Sequence, residues 1–397
     1  IPQAVSSGSH SPNRIRAIAN FEQCMGCVAQ TIELNNPSTM SLHPISAEAA
    51  LQQLDQFDTV VDARTEDEYQ IDRLPLAVNW PTLNNLERIE VGTLYKSNAF
   101  EAKKLGAAMA ASNIAKHIRQ HVMDKPRDWK PLTYCWRGGK RSGSLSLILS
   151  EIGFRVHIIE GGYKAFRAAL VDDIPKQVER LNFIVICGPT GSGKTRLLQT
   201  LAAMHGSEPT PQVLDLEALA NHRSSVLGVL PGVAQPSQKA FDSMVWNALR
   251  QFDPSRPVYV ESESKKVGNV AVPEALMQKM RASPCLNLQL PLEERVALLM
   301  EDYDFFVKDT TFFCERLGAL TAARGRELVQ NWQDLARNNQ CETVVQELLT
   351  LHYDPVYLQS MQRNFQGYAN ATQVTLTHRS QQMISAVAQR LTTQKLD

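Results

Sequence analysis

The sequence predicts two α/β units in tandem, each built on a parallel sheet, the second carrying a helical appendage. Three observations predict it. Short apolar runs alternate with helix-forming stretches through both halves of the chain. Twice a glycine-rich loop follows an apolar run and precedes a helical stretch, at Cys135–Ser142 and at Gly188–Thr195. The long stretch 292–352 is poor in breakers and reads as helices. With 397 residues, 43% of them hydrophobic and 21% charged, the chain is long and apolar enough for two ordinary cores.

Residues 1–39 are rich in Ser, Asn and Pro without an apolar period, and are expected to form a disordered extension. The first unit is expected over 40–171. Residues 46–54 read as a short helix and Thr59–Asp62 as a buried strand ending in an acid. Val78-Asn79 and Leu132–Tyr134 are further strand pieces, and Ala99–Met123 is helical. Ser142–Ile152 is a helix in which Leu145, Ile148, Leu149 and Ile152 fall on one face. Val156–Ile159 is a strand closed by Gly161-Gly162. Residues 172–181 are charged, contain Pro175 and suit an interdomain connector. The second unit is expected over 182–397. Its strands are Phe183–Cys187, Gln212–Leu214, Val258–Val260 and Leu286–Leu290, followed by the helical region.

The formal net charge is zero, which argues against a protein that coats nucleic acid non-specifically but leaves room for a local basic groove. Seven scattered cysteines form no disulfide framework, so a reducing cytoplasm is the expected location. Cys24 and Cys27 lack a second Cys/His pair and read as free thiols rather than half a zinc site or a redox pair. No apolar run approaches the ~20 residues of a membrane helix.

Cys135 sits where an apolar strand gives way to a helix. Arg137, Lys140 and Arg141 supply charge, and Gly138 and Gly139 allow a tight backbone path. A helix N-terminus and inward-facing N–H groups add to this. Such surroundings favour thiolate, the nucleophilic form, and can hold a phosphate-like donor against the sulfur. Cysteines at strand ends are ordinarily inert core thiols; three cations and two glycines in so short a span argue otherwise here. The pattern Cys135-x5-Arg141-Ser142 also fits a cysteine phosphatase, but no general acid is evident nearby. The rest of the unit resembles rhodanese, in Val61-Asp62-Ala63-Arg64 with Glu68, in Leu74-Pro75-Leu76-Ala77-Val78-Asn79, and in Glu160-Gly161-Gly162-Tyr163.

Gly188-x4-Gly193-Lys194-Thr195 is a P-loop in its required strand-to-helix context. Backbone amides around Gly188, Gly191, Ser192 and Gly193 would wrap phosphate oxygens, Lys194 would neutralise charge, and Thr195 would face Mg²⁺. Asp215, Glu217, Glu261 and Glu263 are candidate bases or Mg²⁺ ligands. Each also fits a solvated strand-end carboxylate. The loop reports a polyphosphate, not ATP hydrolysis.

A rhodanese unit followed by a P-loop unit resembles the bacterial tRNA 2-selenouridine synthases, from about residue 45 to beyond 360. The resemblance rests on Tyr134–Ser142, Glu160–Ala165, Gly191–Thr195, Asp215-Leu216-Glu217 with His222-Arg223, Val260–Ser264 with Gly268, and Tyr353-Asp354-Pro355-Val356-Tyr357. Asn84-Asn85 with Glu87-Arg88, and Val91-Gly92-Thr93 with Tyr95-Lys96, are absent from ordinary rhodaneses. The front extension and Trp136, where a small residue is usual, depart from the pattern.

The resemblance implies a two-step exchange on the wobble uridine of tRNA. Geranyl diphosphate alkylates 2-thiouridine on sulfur, with Mg²⁺ assisting. Selenium from selenophosphate then replaces the geranylthio group. Cys135 would serve selenium transfer as carrier or nucleophile. Arg137, Gly138, Gly139, Lys140, Arg141 and Ser142 would bind the donor anion, and the P-loop would clamp the diphosphate. A selenophosphate-producing enzyme is an implied partner. Lys103-Lys104, His222-Arg223, Lys265-Lys266 and Arg324/Arg326 are candidate tRNA contacts. Two other classes compete: a rhodanese-type sulfurtransferase coupled to an ATP-binding kinase or switch domain, and a non-catalytic RNA- or nucleotide-binding module.

Overall fold

The computed structural model describes residues 42–204, 210–223, 225 and 227–393. The front extension, with Cys24 and Cys27, lies outside the described residues.

In the first unit β1 (Leu42–Ile45), β2 (Thr59–Asp62), β3 (Ala77–Asn79), β4 (Pro131–Tyr134) and β5 (Val156–Ile159) form one sheet in the order β1-β5-β4-β2-β3. Every neighbouring pair is parallel. Helices α1 (Ala47–Gln52), α2 (Glu66–Ile71), α3 (Asn85–Ser97), α4 (Ala99–His121), α5 (Lys140–Ile152) and α6 (Gly162–Glu179) connect or flank the strands. Two starts are fixed by capping boxes, Thr65 with Glu68 on α2 and Asn84 with Glu87 on α3.

Helix α5 forms where expected but is rotated. Ser142, Leu145, Ser146, Leu149 and Ser150 face inward, while Ile148 and Ile152 are exposed. Two of the serines find partners there: Ser146 and Thr133 share a 2.6 Å hydrogen bond, and Ser142 donates to the Cys135 sulfur.

The second unit is a parallel sheet of β6 (Asn182–Cys187), β7 (Gln212–Leu214), β8 (Pro257–Glu261), β11 (Pro284–Gln289) and β12 (Gly367–Thr375), in the order β12-β11-β6-β8-β7. A small antiparallel pair, β9 (Lys266–Val267) and β10 (Val270–Ala271), follows β8. Helices α7 (Lys194–Ala202), α8 (Leu216–Ala220), α9 (Gln238–Gln251) and α10 (Glu274–Ala282) accompany the strands. The appendage runs through α11 (Leu292–Asp302), α12 (Asp304–Lys308), α13 (Thr310–Gly318), α14 (Thr321–Arg324), α15 (Arg326–Arg337), α16 (Cys341–Glu347), a π-helical turn (Leu348–Tyr353) and α17 (Asp354–Asn364). It has its own core around Phe306, Phe313, Trp332 and Leu348. Helix α18 (Gln381–Thr393) closes the chain against α7.

Residues 172–181, expected as a connector, are mostly the second half of α6, with Pro175 inside the helix. The helix belongs to both units, packing on α1 and on α9 and α10. Phe166, Leu170, Ile174 and Val178 are buried in a core continuous across the two sheets. Each such side chain contributes roughly 1.5–3 kcal/mol when fully buried. Polar links reinforce the joint. Trp246 Nε1 donates to Asp173 at 2.9 Å, Arg180 donates to the carbonyls of Leu249 and Arg250, and Arg167 pairs with Asp242. No described helix is long and apolar enough to cross a membrane.

Candidate functional site

Both glycine-rich loops leave the carboxyl ends of parallel strands, where open α/β sheets place their ligands. They are built from different parts.

Cys135 follows β4 directly and is 3% exposed. The Gly139 N–H donates to its sulfur at 3.2 Å, as does the Ser142 hydroxyl. The loop is pinned from behind by the turn into α6. Tyr163 N–H donates to the Cys135 carbonyl at 2.8 Å, and Lys164 N–H to the Trp136 carbonyl at 3.1 Å. Gly162 has φ 59°, and a Cβ there would lie 2.3 Å from the Cys135 carbonyl oxygen. This contact is the physical reason for a glycine in Glu160-Gly161-Gly162-Tyr163.

The expected donor-binding residues are divided. Arg137 and Lys140 are exposed at the loop. Arg141 is engaged, with Nη1 and Nη2 on the two Glu68 oxygens at 2.6 and 3.2 Å. Burial would push the Glu68 carboxyl up, but Arg141 outweighs it and holds the group below its ordinary range. Ser142 spends its hydroxyl on the sulfur. Asp62 and Arg64 form a buried pair under the loop, Nη2 to Oδ2 at 2.6 Å, with Tyr134 donating to the same carboxylate at 2.7 Å. Arg64 lies 4.1 Å from the centre of the Tyr163 ring, and Trp136 stacks on that ring at 5.3 Å.

Trp136 and Arg141 face a cavity of about 340 Å³ that also meets Arg88 and Lys239. Lys239 belongs to the second unit, so this cavity lies at the joint. Neither Arg88 nor Lys239 stands out by spacing. Arg88 belongs to the Asn84–Arg88 segment on which part of the family resemblance rests, and that is the signal that marks it.

The P-loop runs from the end of β6 into α7. Gly188, Gly191 and Gly193 have φ of 150°, 77° and 90°. A Cβ on Gly188 would meet the Leu288 carbonyl at 2.5 Å, and one on Gly191 would press on Leu299. Lys194 Nζ rests on the Gly188 carbonyl at 2.7 Å. The Thr195 hydroxyl is 3.2 Å from both Glu217 and Glu261.

Strand pairing explains this convergence. β8 lies beside β6 with Glu261 opposite Ile186, and β7 lies beside β8, which brings Glu217 alongside. Glu217, Glu261 and Glu263 offer oxygens within 4.8 Å of one another. Burial, then repulsion from Glu217 and Glu263, pushes the Glu261 carboxyl well up. Glu261 Oε1 and Ser192 Oγ are buried without a hydrogen-bond partner. A buried lone oxygen among three carboxylates and a hydroxyl suits a hard divalent cation such as Mg²⁺. Asp215 stands apart: its carboxylate accepts from Ala218 N–H at 2.8 Å and caps α8. Burial raises its carboxyl as well.

Residues far down the chain hold the loop. The Tyr357 hydroxyl accepts from Gly188 N–H at 2.5 Å. Arg295 donates to the Thr190 carbonyl at 2.9 Å and forms a forked pair with Asp354 at 2.9 and 2.5 Å. Arg295 carries no signal in the sequence. Asp354 and Tyr357 do, within Tyr353–Tyr357. Lys194, Thr195 and the carboxylates face a polar cleft of about 460 Å³.

The expected RNA contacts are scattered. His222 is buried, contrary to that expectation, because it closes a short bridge with Val229. Arg223 lies over Tyr303 and donates to the Asp302 carbonyl, and Arg324 is bonded to His352. Lys103, Lys104, Lys265, Lys266 and Arg326 are exposed.

Comparison with known proteins agrees with this two-part construction. Residues 46–169 match the rhodanese-like domain, and residues 181–324 match the tRNA 2-selenouridine synthase AAA domain. A protein named tRNA 2-selenouridine synthase from Nitrosomonas europaea is 39% identical over 252 residues, 62% of this chain and 63% of its own length. The protein of that name from Marinobacter nauticus is 31% identical over 333 residues, 75% of this chain and 87% of its own. The one from Hydrogenovibrio crunogenus is 31% identical over 372 residues, 83% and 99%. With such likeness spread over both units, the chain belongs to the tRNA 2-selenouridine synthase family.

Proposed function

We propose that the protein converts the wobble 2-thiouridine of tRNA to 2-selenouridine through an S-geranyl intermediate. The observation that supports it most is the pairing, in one chain, of a buried thiol with two donors aimed at its sulfur and a polyphosphate cradle backed by three carboxylates.

In the first step the thiocarbonyl sulfur attacks C1 of geranyl diphosphate. The C–O bond breaks, diphosphate leaves with the electron pair, and the base loses its N3 proton. Lys194 and the loop amides bind the departing charge. A divalent cation held by Thr195, Glu217, Glu261 and Glu263 would add to that stabilisation. S-alkylation turns a poor leaving group into a good one.

In the second step the Cys135 loop receives selenophosphate. The donor holds selenium already reduced, so storing it as a selenide on the cysteine sulfur would require an oxidation. The balanced route is attack of Cys135 on phosphorus. The P–Se bond breaks, selenide leaves, and water later frees phosphate from the sulfur. Selenide adds at C2 of the geranylated base, and the geranylthiolate leaves and takes up a proton. Arg137 and Lys140 attract the donor anion. Arg141 reaches it by exchanging Glu68 for donor oxygens. Trp136 offers an exposed stacking face for a base, and the exposed lysines offer phosphate contacts.

The test is to incubate the protein with 2-thiouridine tRNA, geranyl diphosphate, Mg²⁺ and selenophosphate and to analyse nucleosides by mass spectrometry. Geranylated and selenated uridine are expected. Vigorous ATP turnover with neither product would contradict the proposal and favour an ATP-driven switch or kinase.

A further inference from the structure

The P-loop cleft has a narrow apolar side branch. Phe306, Val307, Phe313, Val345 and Leu348 line it, from α12, α13, α16 and the π-helical turn. The branch and the cleft share Thr190, Ser225, Leu299, Tyr303 and Tyr353, so the hydroxyls sit at the junction and the apolar residues beyond it. A ligand with its phosphates on Lys194 and Thr195 therefore has an apolar exit beside them. The free volume of the branch is about 50 Å³ against about 460 Å³ for the cleft, so it suits a slender chain better than a ring system.

We propose that this branch binds the hydrocarbon tail of the diphosphate substrate and that its depth sets the chain length used. The inference rests on the reading of the P-loop as a prenyl diphosphate site. Polarity supports a tail over a nucleotide base. A buried purine would leave its ring nitrogens and amino group without partners against Phe306, Phe313, Val345 and Leu348, and unpaired buried polar groups are costly. An alkyl chain carries no such groups and gains from leaving water. The arrangement also gives the appendage a purpose. Its core cluster, which includes Phe306, Phe313 and Leu348, forms one wall, while Arg295 ties α11, which carries the lining residue Leu299, to the loop through Thr190. Head and tail sites are thus held in one frame.

Val345 is half-buried, so it can be enlarged without opening the core. The experiment is calorimetric titration, with Mg²⁺, of the wild type and Val345→Phe with geranyl diphosphate, inorganic pyrophosphate and ATP. The wild type is expected to bind geranyl diphosphate about 100-fold more tightly than pyrophosphate, or ~2.7 kcal/mol, which three or four buried methylene groups supply. Val345→Phe is expected to cut that advantage below about tenfold while pyrophosphate affinity stays the same, which also shows that the variant is folded. A second variant, Val345→Ala, is expected to bind farnesyl diphosphate several-fold more tightly than the wild type does. Equal affinity of the wild type for geranyl diphosphate and pyrophosphate overturns the tail site and leaves the P-loop reading standing. Failure to bind either diphosphate overturns both. If Val345→Phe weakens ATP as much as geranyl diphosphate, the branch is a base site and the inference falls.

Discussion

The two glycine-rich loops share one frame, strand to loop to helix N-terminus, and differ in what secures and surrounds them. The Cys135 loop is pinned from within its own unit, by the backbone of Tyr163 and Lys164 and the close approach of Gly162, with Asp62 bonded to Tyr134 just before the cysteine. Its sulfur receives two donors, and the Glu68 carboxylate that reaches its Arg141 is neutralised by that pairing. The P-loop is held from far downstream, by Arg295 with Asp354 and by Tyr357. It faces three gathered carboxylates. The shared frame turns backbone N–H groups toward one point in both places, and the residues brought in from neighbouring elements set what surrounds that point. In the proposed function one loop presents a nucleophile, and the other a place for a cation and a leaving group.

Because the two loops are built separately, substitutions are expected to separate the two steps. The largest effect is expected from Cys135→Ala. It should lower selenation by at least ~10³-fold, as loss of a nucleophile does, and leave geranylation intact; nucleoside mass spectrometry reads both. Lys194→Ala should do the reverse, slowing geranylation roughly 10²–10³-fold through loss of a charge on the leaving group, with pre-geranylated tRNA still selenated.

Gly162→Ala tests how the first loop is held. The added Cβ would meet the Cys135 carbonyl at 2.3 Å, in a backbone conformation at φ 59°. A loss of ~3 kcal/mol in unfolding free energy is expected, with selenation falling before geranylation. Denaturant titration checks the first part.

Tyr357→Phe tests the second loop. It removes the acceptor for Gly188 N–H, a hydrogen bond contributing about 1 kcal/mol. Diphosphate affinity should drop about fivefold by calorimetry, and the Cys135 loop should be unaffected.

The smallest effect concerns pH. The Glu261 carboxyl is raised in the folded protein by burial and by Glu217 and Glu263, with Lys194 acting in the opposite direction. The folded state then holds a proton that the unfolded chain has released. Without divalent cation, stability should fall as pH rises from the ordinary glutamate range toward the raised value. Mg²⁺ should reverse the trend, because binding favours the charged form. Glu261→Gln should flatten the pH dependence in thermal melts, and a wild type with no such slope would contradict the assignment.

Much of this is legible in the sequence. Both loops are, because closely spaced glycines and cations right after an apolar run are uncommon outside anion-binding turns. So are most strands of both sheets, which are short continuous apolar runs. The inner face of α5 is not. Periodicity offers the stripe Leu145-Ile148-Leu149-Ile152, but Ser142 and Ser146 find partners in Cys135 and Thr133, and that turns the helix. β12 escapes sequence reasoning because it is an edge strand with mostly exposed, polar side chains. Helix α3 escapes it because it buries no residue at all. Arg295 is invisible, since its partners Thr190 and Asp354 lie 105 and 59 residues away. The continuity of α6 through Pro175 overrides the signal of a charged, proline-containing connector.

The division of labour between the loops is tested most directly by supplying tRNA bearing S-geranyl-2-thiouridine, with selenophosphate, to the Lys194→Ala and Cys135→Ala proteins and following selenouridine by mass spectrometry. Near wild-type selenation is expected from Lys194→Ala and none from Cys135→Ala. Selenation by Cys135→Ala, or its loss in a folded Lys194→Ala protein, would contradict the division of labour between the two loops.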